Sequence, residues 1–547
     1  MVRLRGIARK LYSPESSAVV PMDSTPEQFL GHPKGLYVCF LTEMWERFSY
    51  YGMRALLLLY LTKYHLFSDD NGYNLVGAYG GLVYAMPVVG GLLADRYLGM
   101  RKSVVFGGLL LVLGHFGMAF EGRAATFVNG AVHRDTFALQ VFYFSLALII
   151  MGVGFLKPNI STIVGKLYEE NDPRQESGFT IFYAGINIGA LAASLLCGWL
   201  GETLGWRYGF GAAGVGMLVG LTVFLTGQRH LMGHAEPRDA VRLREKILAG
   251  ISREWLIYGG AVGGIVAVWG LIQQHSITLA LIPGWLEASP VVLAMHSVTA
   301  VLALGILWFL IRHCTPVQRQ QMLVLLALIG CCLAFFTLYE QTGGSWILFS
   351  DRVMNRRMDI AGFGIDWTAG QLYGLAGVFI ILLSPFFAWL WPWLERRRLN
   401  PSKPVKSGWG LIFAGLSFYV LLYSARHPQA NGLAGVWWFV LAYFVLELGE
   451  LLLSPIGLAA VTQLSVPRVL GVMMGAWWLG TSYSEVLAAQ LGKLSSIEIP
   501  QGAEINVAEA LQKYEQLFAL LGNIGVACGV IVLIAAPWLK RGMHGVR

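Results

Sequence analysis

Runs of about 20 mainly apolar residues, the length needed to cross a bilayer as a helix, recur along nearly the whole chain. They predict helices near 36–62, 74–94, 103–122, 139–164, 177–200 and 208–227, then 255–275 and 289–311. Six more follow near 322–349, 368–394, 408–424, 433–462, 470–492 and 515–539. The pattern is six, two and six. The polar, Arg-rich stretch 229–254 reads as a linker to the middle pair. The predicted layout is a polar segment 1–34, a six-helix bundle over 35–228, the linker, two inserted helices within 255–313 and a second bundle over 321–540.

The first helix breaks the pattern. Glu43, Glu46, Arg47, Tyr50, Tyr51 and Arg54 lie at helical offsets that put them on one face. Charged side chains in lipid cost several kcal/mol unless they are paired or reach water, so this face must line a polar cavity inside a bundle.

Composition supports the membrane reading. The chain has 547 residues, 56% hydrophobic and only 13% charged, against about a quarter charged in soluble domains. The net charge of +8 is not a nucleic-acid footprint, because the basic residues gather in loops. Clusters such as Arg101-Lys102, Arg242 to Lys246 and Arg396 to Arg398 predict both termini on the cytoplasmic side. The six cysteines lack metal spacing and read as reduced packing residues. The first residues are polar and basic and the apolar run behind them is too long for a cleavable leader. Gly259-x3-Gly263, Gly260-x3-Gly264 and Gly216-x3-Gly220 have the spacing of close helix contacts. No phosphate-cradling Gly-x4-Gly-Lys-Ser/Thr sequence is present, which argues against an ATP-driven pump, and no metal, nucleotide or organic cofactor is implied.

Few ionisable residues interrupt the apolar segments: Glu43, Glu46, Arg47, Arg54, Asp95 near a helix end, Lys157, Glu340, Glu447, Glu450 and Glu485. Helices one and four supply both signs and the second half supplies acids. A cavity between the halves would be basic on one wall and acidic on the other, which suits a zwitterion. A membrane enzyme would need one catalytic constellation rather than charges divided between two bundles. A non-transporting sensor would usually carry a soluble domain. His115, His275 and His296 read as packing or interfacial residues.

Several motifs narrow the class. Gly91-Leu-Leu-Ala-Asp95-Arg96 through Arg101-Lys102 resembles the loop signature of the major facilitator superfamily, a charge cluster that can latch neighbouring helices. Glu43-x-x-Glu46-Arg47-Phe48-x-Tyr50-Tyr51-Gly52 resembles the helix-one signature of the proton-dependent oligopeptide transporters. Gly154-Phe-Leu-Lys157-Pro158-Asn159, Phe182-Tyr183-Ala-Gly-Ile186-Asn187-Ile-Gly189 and Gly449-Glu450-Leu-x-x-Ser454-Pro455-x-Gly457-Leu458 are similar to further segments of that family. The six, two and six layout resembles its bacterial members.

The resemblance implies an all-α polytopic membrane protein of the major facilitator fold with fourteen transmembrane helices. It implies a monomeric symporter that carries protons and di- and tripeptides inward across the lipid bilayer. Glu43, Glu46, Arg47, Lys157 and Glu340 would couple protons. Arg47 and Lys157 would face the peptide carboxylate, Glu450 its amine and Asn187 its backbone, with Tyr50, Tyr51, Tyr84 and Trp477 as aromatic walls. Arg54 and Glu340 would form a gate between the halves. Glu447 and Glu485 take no role from the resemblance. The chain departs from the family at Phe336, where Trp is common, at Ala376-Gly377, where Asn-Pro is common, and at Thr481, often Ser. These departures bear on substrate range. A symporter of the same family for nitrate or a drug-like acid is the alternative, and Glu450 argues against an anion carrier.

Overall fold

The computed structural model describes residues 27–169, 172, 174–231, 233–248, 250–274, 290–360, 362–497 and 505–546. Among these it contains fourteen helices of 19 residues or more. The first six are α1 (Lys34–Leu59), α2 (Asp69–Leu93), α3 (Met100–Met118), α4 (Thr136–Lys166), α5 (Gln175–Trp199) and α6 (Trp206–Gly227). Next come α7 (Arg253–Gln273) and α8 (Pro290–His313). The last six are α9 (Pro316–Tyr339), α10 (Leu375–Arg396), α11 (Lys403–Arg426), α12 (Val436–Leu464), α13 (Leu470–Gly492) and α14 (Val507–Gly542). Eleven of the described helices are long and apolar enough to cross a membrane. The other three are α1, with its charges in mid-helix, α3 and α13. His275 and most of segment 1–34 lie outside the described residues.

The helices start where the chain supplies caps. The Thr315 hydroxyl accepts from Gln318 N at 3.3 Å, the Gln318 side chain returns the bond, and Pro316 sits at the first turn of α9. Asp135 caps α4 by accepting from Ala138 N at 3.1 Å.

Two predicted spans are interrupted. The run 322–349 forms α9, a tight turn at Glu340–Gly343 and a separate helix Ser345–Arg352. Gly344 there has φ −116° and ψ −105°, outside the range open to most residues. The run 368–394 divides into Ala369–Leu372 and α10. Both breaks lie beside the charged centre.

Packing builds two halves. In the first, α1 lies against α5 and α6, and α4 against α2 and α3; in the second, α11 lies between α12 and α14, with α9 behind them. The halves meet along two seams, α2 with α13 and α5 with α10. The inserted α7 packs mainly on α4, and α8 on α13 and α9.

Glycine sets the closest approaches. A methyl group at Gly90 of α2 would overlap the Gly154 carbonyl of α4. Because backbone cannot yield as a side chain does, Gly90→Ala is expected to destabilise the protein by about 1–3 kcal/mol, the usual cost of overpacking. A lower melting temperature in detergent checks this. Gly216 and Gly220 of α6 do lie against Phe48 and Trp45 of α1, but Gly259, Gly260 and Gly263 of α7 have no heavy atom within 4 Å of a built methyl among the described residues. Gly264 does lie against Met151 of α4, a built methyl there standing 3.2 Å from its terminal methyl; the expectation of close helix contact is corrected at the other three.

Polar contacts between the halves lie at the middle or toward one side. Asp69, at the start of α2, accepts from both terminal nitrogens of Arg352 at 2.6 Å and from Ile497 N at 2.9 Å. Lys63 meets Asp351 at 2.5 Å, Glu202 accepts from Gly370 N at 2.6 Å, and Ser482 donates to Gly81 O at 2.6 Å. On the opposite side stands the charged motif, with Asp95 and Arg96 exposed in the wide helical turn Ala94–Leu98 and Arg101 and Lys102 at the start of α3. Its basic pair ties down the linker and the foot of α7: Arg101 bonds Glu236 at 2.5 Å and Gln228 at 3.0 Å, and Lys102 bonds Glu254 at 2.6 Å. The described contacts of this pair thus hold the linker rather than latch one half to the other.

Candidate functional site

The α1 face forms a buried charge cluster. Glu43, Glu46 and Arg47 are at most 3% exposed. Arg47 grips Glu46 with two nitrogens, Nη2 at 2.7 Å from Oε1 and Nε on Oε2. Its Nε also lies 3.3 Å from Glu43 Oε1. Two carboxylates around one guanidinium leave an excess acid, and Glu43 Oε2 has no hydrogen-bond partner. Arg47 also lies over the ring of Tyr50, 5.1 Å from its centroid.

Lys157 projects from α4, next to Pro158, toward this cluster. Its charged neighbours are Arg47, Glu46, Glu43 and Glu340, yet none of the described ion pairs includes it. Its ammonium instead lies 4.4 Å above the Tyr84 ring and 5.3 Å from that of Trp478, an arrangement that stabilises a cation without neutralising it. Tyr84 and Trp478 stack at 6.3 Å, joining α2 to α13 over the lysine. Trp477, the residue singled out from sequence, packs instead against Gly457 of α12.

The acidic wall comes from α12. Glu450 is partly exposed and Glu447 is fully buried behind it, with Tyr339 of α9 alongside. Tyr51 has both Arg47 and Glu450 among its charged neighbours, so it stands between the basic and acidic walls. Tyr183 of α5 also faces Glu450 and is 42% exposed. Asn187 bonds back to Tyr183 O of its own helix at 3.1 Å, which leaves its amide oxygen without a described contact from another helix. Ala376 is half-buried, and Gly377 beside it lies against Leu191 of α5.

Arg54 closes the centre. Its Nη2 donates to Glu340 Oε2 at 2.9 Å and to Glu485 Oε2 at 2.6 Å. Glu340 sits where α9 ends, so the break at Gly343-Gly344 turns this carboxylate inward. His115 is buried in α3, and His296 of α8 bonds Tyr483 at 2.8 Å; neither joins the centre.

The arrangement is a buried centre in which Arg47, Lys157 and Arg54 of the first half stand beside Glu43 and Glu46, the second half contributes acids alone, Glu340, Glu447, Glu450 and Glu485, and aromatic rings lie between. Sequence reasoning missed Trp478, Tyr339, Tyr373 and the partner of Glu485. Adjacent residues of a helix point about 100° apart, so only the helix rotation separates Trp477 from Trp478.

The POT family model matches residues 101–504. The chain belongs to the POT family. As in other members, the fold is that of the major facilitator transporters, an integral membrane protein. An uncharacterized transporter of Bacillus subtilis is 34% identical over 534 residues, covering 96% of this chain and 98% of that one. A di-/tripeptide transporter of Lactococcus lactis is 32% identical over 540 residues, covering 96% and 99%. The crystal structure of a POT peptide transporter in complex with alafosfalin superposes with a TM-score of 0.75 at 33% identity, covering 95% of this chain and 97% of that one.

Proposed function

We propose that this POT-family chain is a symporter of the bacterial inner membrane that imports di- and tripeptides with protons, works as a monomer and keeps both termini in the cytoplasm. The supporting observation is the divided placement of charge: Arg47 and Lys157 on one half, Glu450 on the other, and Tyr51 with both Arg47 and Glu450 as neighbours. A short peptide is a zwitterion of matching polarity. Arg47 and Lys157 receive its carboxylate, since a guanidinium suits a carboxylate geometrically, and Glu450 receives its amine. Glu43, Glu46 and Lys157 carry the proton coupling. The bundles over 35–228 and 321–540 rock about the site, while the inserted pair over 255–313, joined by the linker 229–254, follows them.

The experiment is competition for labelled dialanine uptake by N-acetyl-dialanine. Blocking the amine is expected to abolish competition. Intact competition would remove Glu450 as the amine site and the peptide reading with it.

The gate gives a second expectation. Arg54 and Glu340 belong to different halves, so their pairing biases the equilibrium between states. Glu340→Ala is expected to impair driven uptake by about tenfold or more, since a differential of 1.4 kcal/mol already shifts populations tenfold. It should also change labelling of single cysteines placed on the two faces. Unchanged labelling with normal uptake would refute the gate.

A further inference from the structure

Arg54 holds two acids, and only one of them has a part in the gate described above. Glu485 of α13 is 2% exposed and Arg54 also 2%. The Glu340 and Glu485 carboxyls both take the same nitrogen of Arg54 and are close enough to share a hydrogen bond with each other. Other titratable groups face this trio from every side: Tyr50 and Tyr51 on α1, Tyr79 and Tyr84 on α2, Tyr373 before α10, and Lys157 on α4 toward Glu340. The tyrosines are neutral, and Lys157 stands beyond ion-pairing distance. One cation therefore serves two carboxyls in a site nearly closed to water.

The surroundings are shaped around Glu485. A methyl group at Gly80 of α2 would lie 2.5 Å from both the Glu485 carboxyl carbon and its Oε2. The acid thus fills the space that a side chain of α2 would occupy, inside the α2–α13 seam that joins the halves. Nearby, Ser482 bonds Gly81 O across the same seam.

We infer that Glu340 and Glu485 hold one proton between them against Arg54, so that Glu485 is a second proton-handling acid of the transport cycle. With both carboxyls ionised the trio carries one net negative charge in a buried site. Taking one proton from the medium makes it neutral, and releasing that proton restores the charge; no other bond changes. Without the Glu485 carboxyl, Glu340 and Arg54 already balance, and a proton on Glu340 would strand the guanidinium, a strongly unfavourable state. Proton loading would then need a more acidic medium.

The inference rests on the symporter reading, and the test separates the two. Purified protein is reconstituted in liposomes, and gradient-driven accumulation of labelled dialanine is followed against external pH. For Glu485→Gln, the pH of half-maximal accumulation is expected to move at least about one unit toward acid, a tenfold change in proton concentration, as expected when one of two carboxyls sharing a site is removed. Glu485→Asp should recover most of the wild-type profile. Gly80→Ala, which alters no charge but displaces the Glu485 carboxyl, should shift it in the same direction, and it carries the comparison if Glu485→Gln does not fold. Accumulation by the wild type, with the same half-maximal pH in Glu485→Gln and Gly80→Ala, would overturn this inference alone. No accumulation by the wild type would overturn the symporter reading and this inference together.

Discussion

Glu46→Gln and Lys157→Ala are each expected to abolish the accumulation of peptide against its gradient, a loss of at least about 100-fold. Arg47 binds Glu46 with two nitrogens and Glu43 with one, and the three residues are almost inaccessible to water. In such a site, removing one partner leaves the charge of the other unmatched, at about 3–5 kcal/mol, or more than a hundredfold in an equilibrium. Glu46→Gln frees Arg47 from its main acid, so the guanidinium turns to Glu43 and that acid no longer cycles with the proton. Lys157→Ala removes the cation that lies over Tyr84 and Trp478 and leaves Glu43 and Glu46 facing Arg47 alone. Downhill exchange of peptide, which needs no proton movement, is expected to survive in both. Proteoliposomes loaded with unlabelled dipeptide measure exchange, and the same vesicles under an acid-outside gradient measure accumulation. Normal accumulation by both variants would refute the coupling role.

Glu450→Ala is expected to weaken peptide binding by about 10- to 150-fold. A hydrogen bond to a charged group is worth about 1.5–3 kcal/mol, against about 1 for a neutral one, so the ammonium contact outweighs any contact to the peptide amide. Two departures raise the dependence on it. Ala376 of α10 offers no side-chain amide, and Phe336, half-buried beside Tyr339, offers no indole donor. Small or apolar dipeptides should therefore be preferred. Ala376→Asn should tighten binding if the α10–α5 contact at Gly377 accepts the larger side chain; that contact places a built methyl at Gly377 3.1 Å from Leu191 Cβ. Half-saturation concentrations for dialanine in wild type, Glu450→Ala and Ala376→Asn check the order. Equal values for wild type and Glu450→Ala would exclude Glu450 from the amine site.

Much of this was legible in the sequence because one physical rule governs it. Backbone groups in lipid must be satisfied within the segment, so apolar length marks most of the helices, and α6, Trp206–Gly227, lies within two residues of its expected span. Charged residues in such helices must face inward, which is why the α1 face could be read from its spacing. What stayed hidden depends on rotation and contact. Hydropathy is blind to the breaks at Gly343-Gly344 and Tyr373-Gly374, because the apolar runs continue through them. Nothing local distinguishes Trp477, packed on Gly457, from Trp478, stacked on Tyr84. Glu485 stood out as a charge in an apolar helix, but its partner lies 431 residues away in α1. Lys157 was expected to pair with carboxylates; the rings of Tyr84 and Trp478 receive it because they reach across from α2 and α13. The glycines of α7 have the spacing of a contact face, yet among the described residues only Gly264 of the four meets the bundle, at Met151 of α4.

The central claim is that peptide and proton move together through the cavity between the halves. Uptake of labelled dialanine into liposomes containing only the purified protein, with and without an inward proton gradient, tests it most directly. The expected result is accumulation above the external concentration when the gradient is present, and mere equilibration when an ionophore collapses it. Equilibration to the same level in both conditions, or no entry in either, would contradict the account.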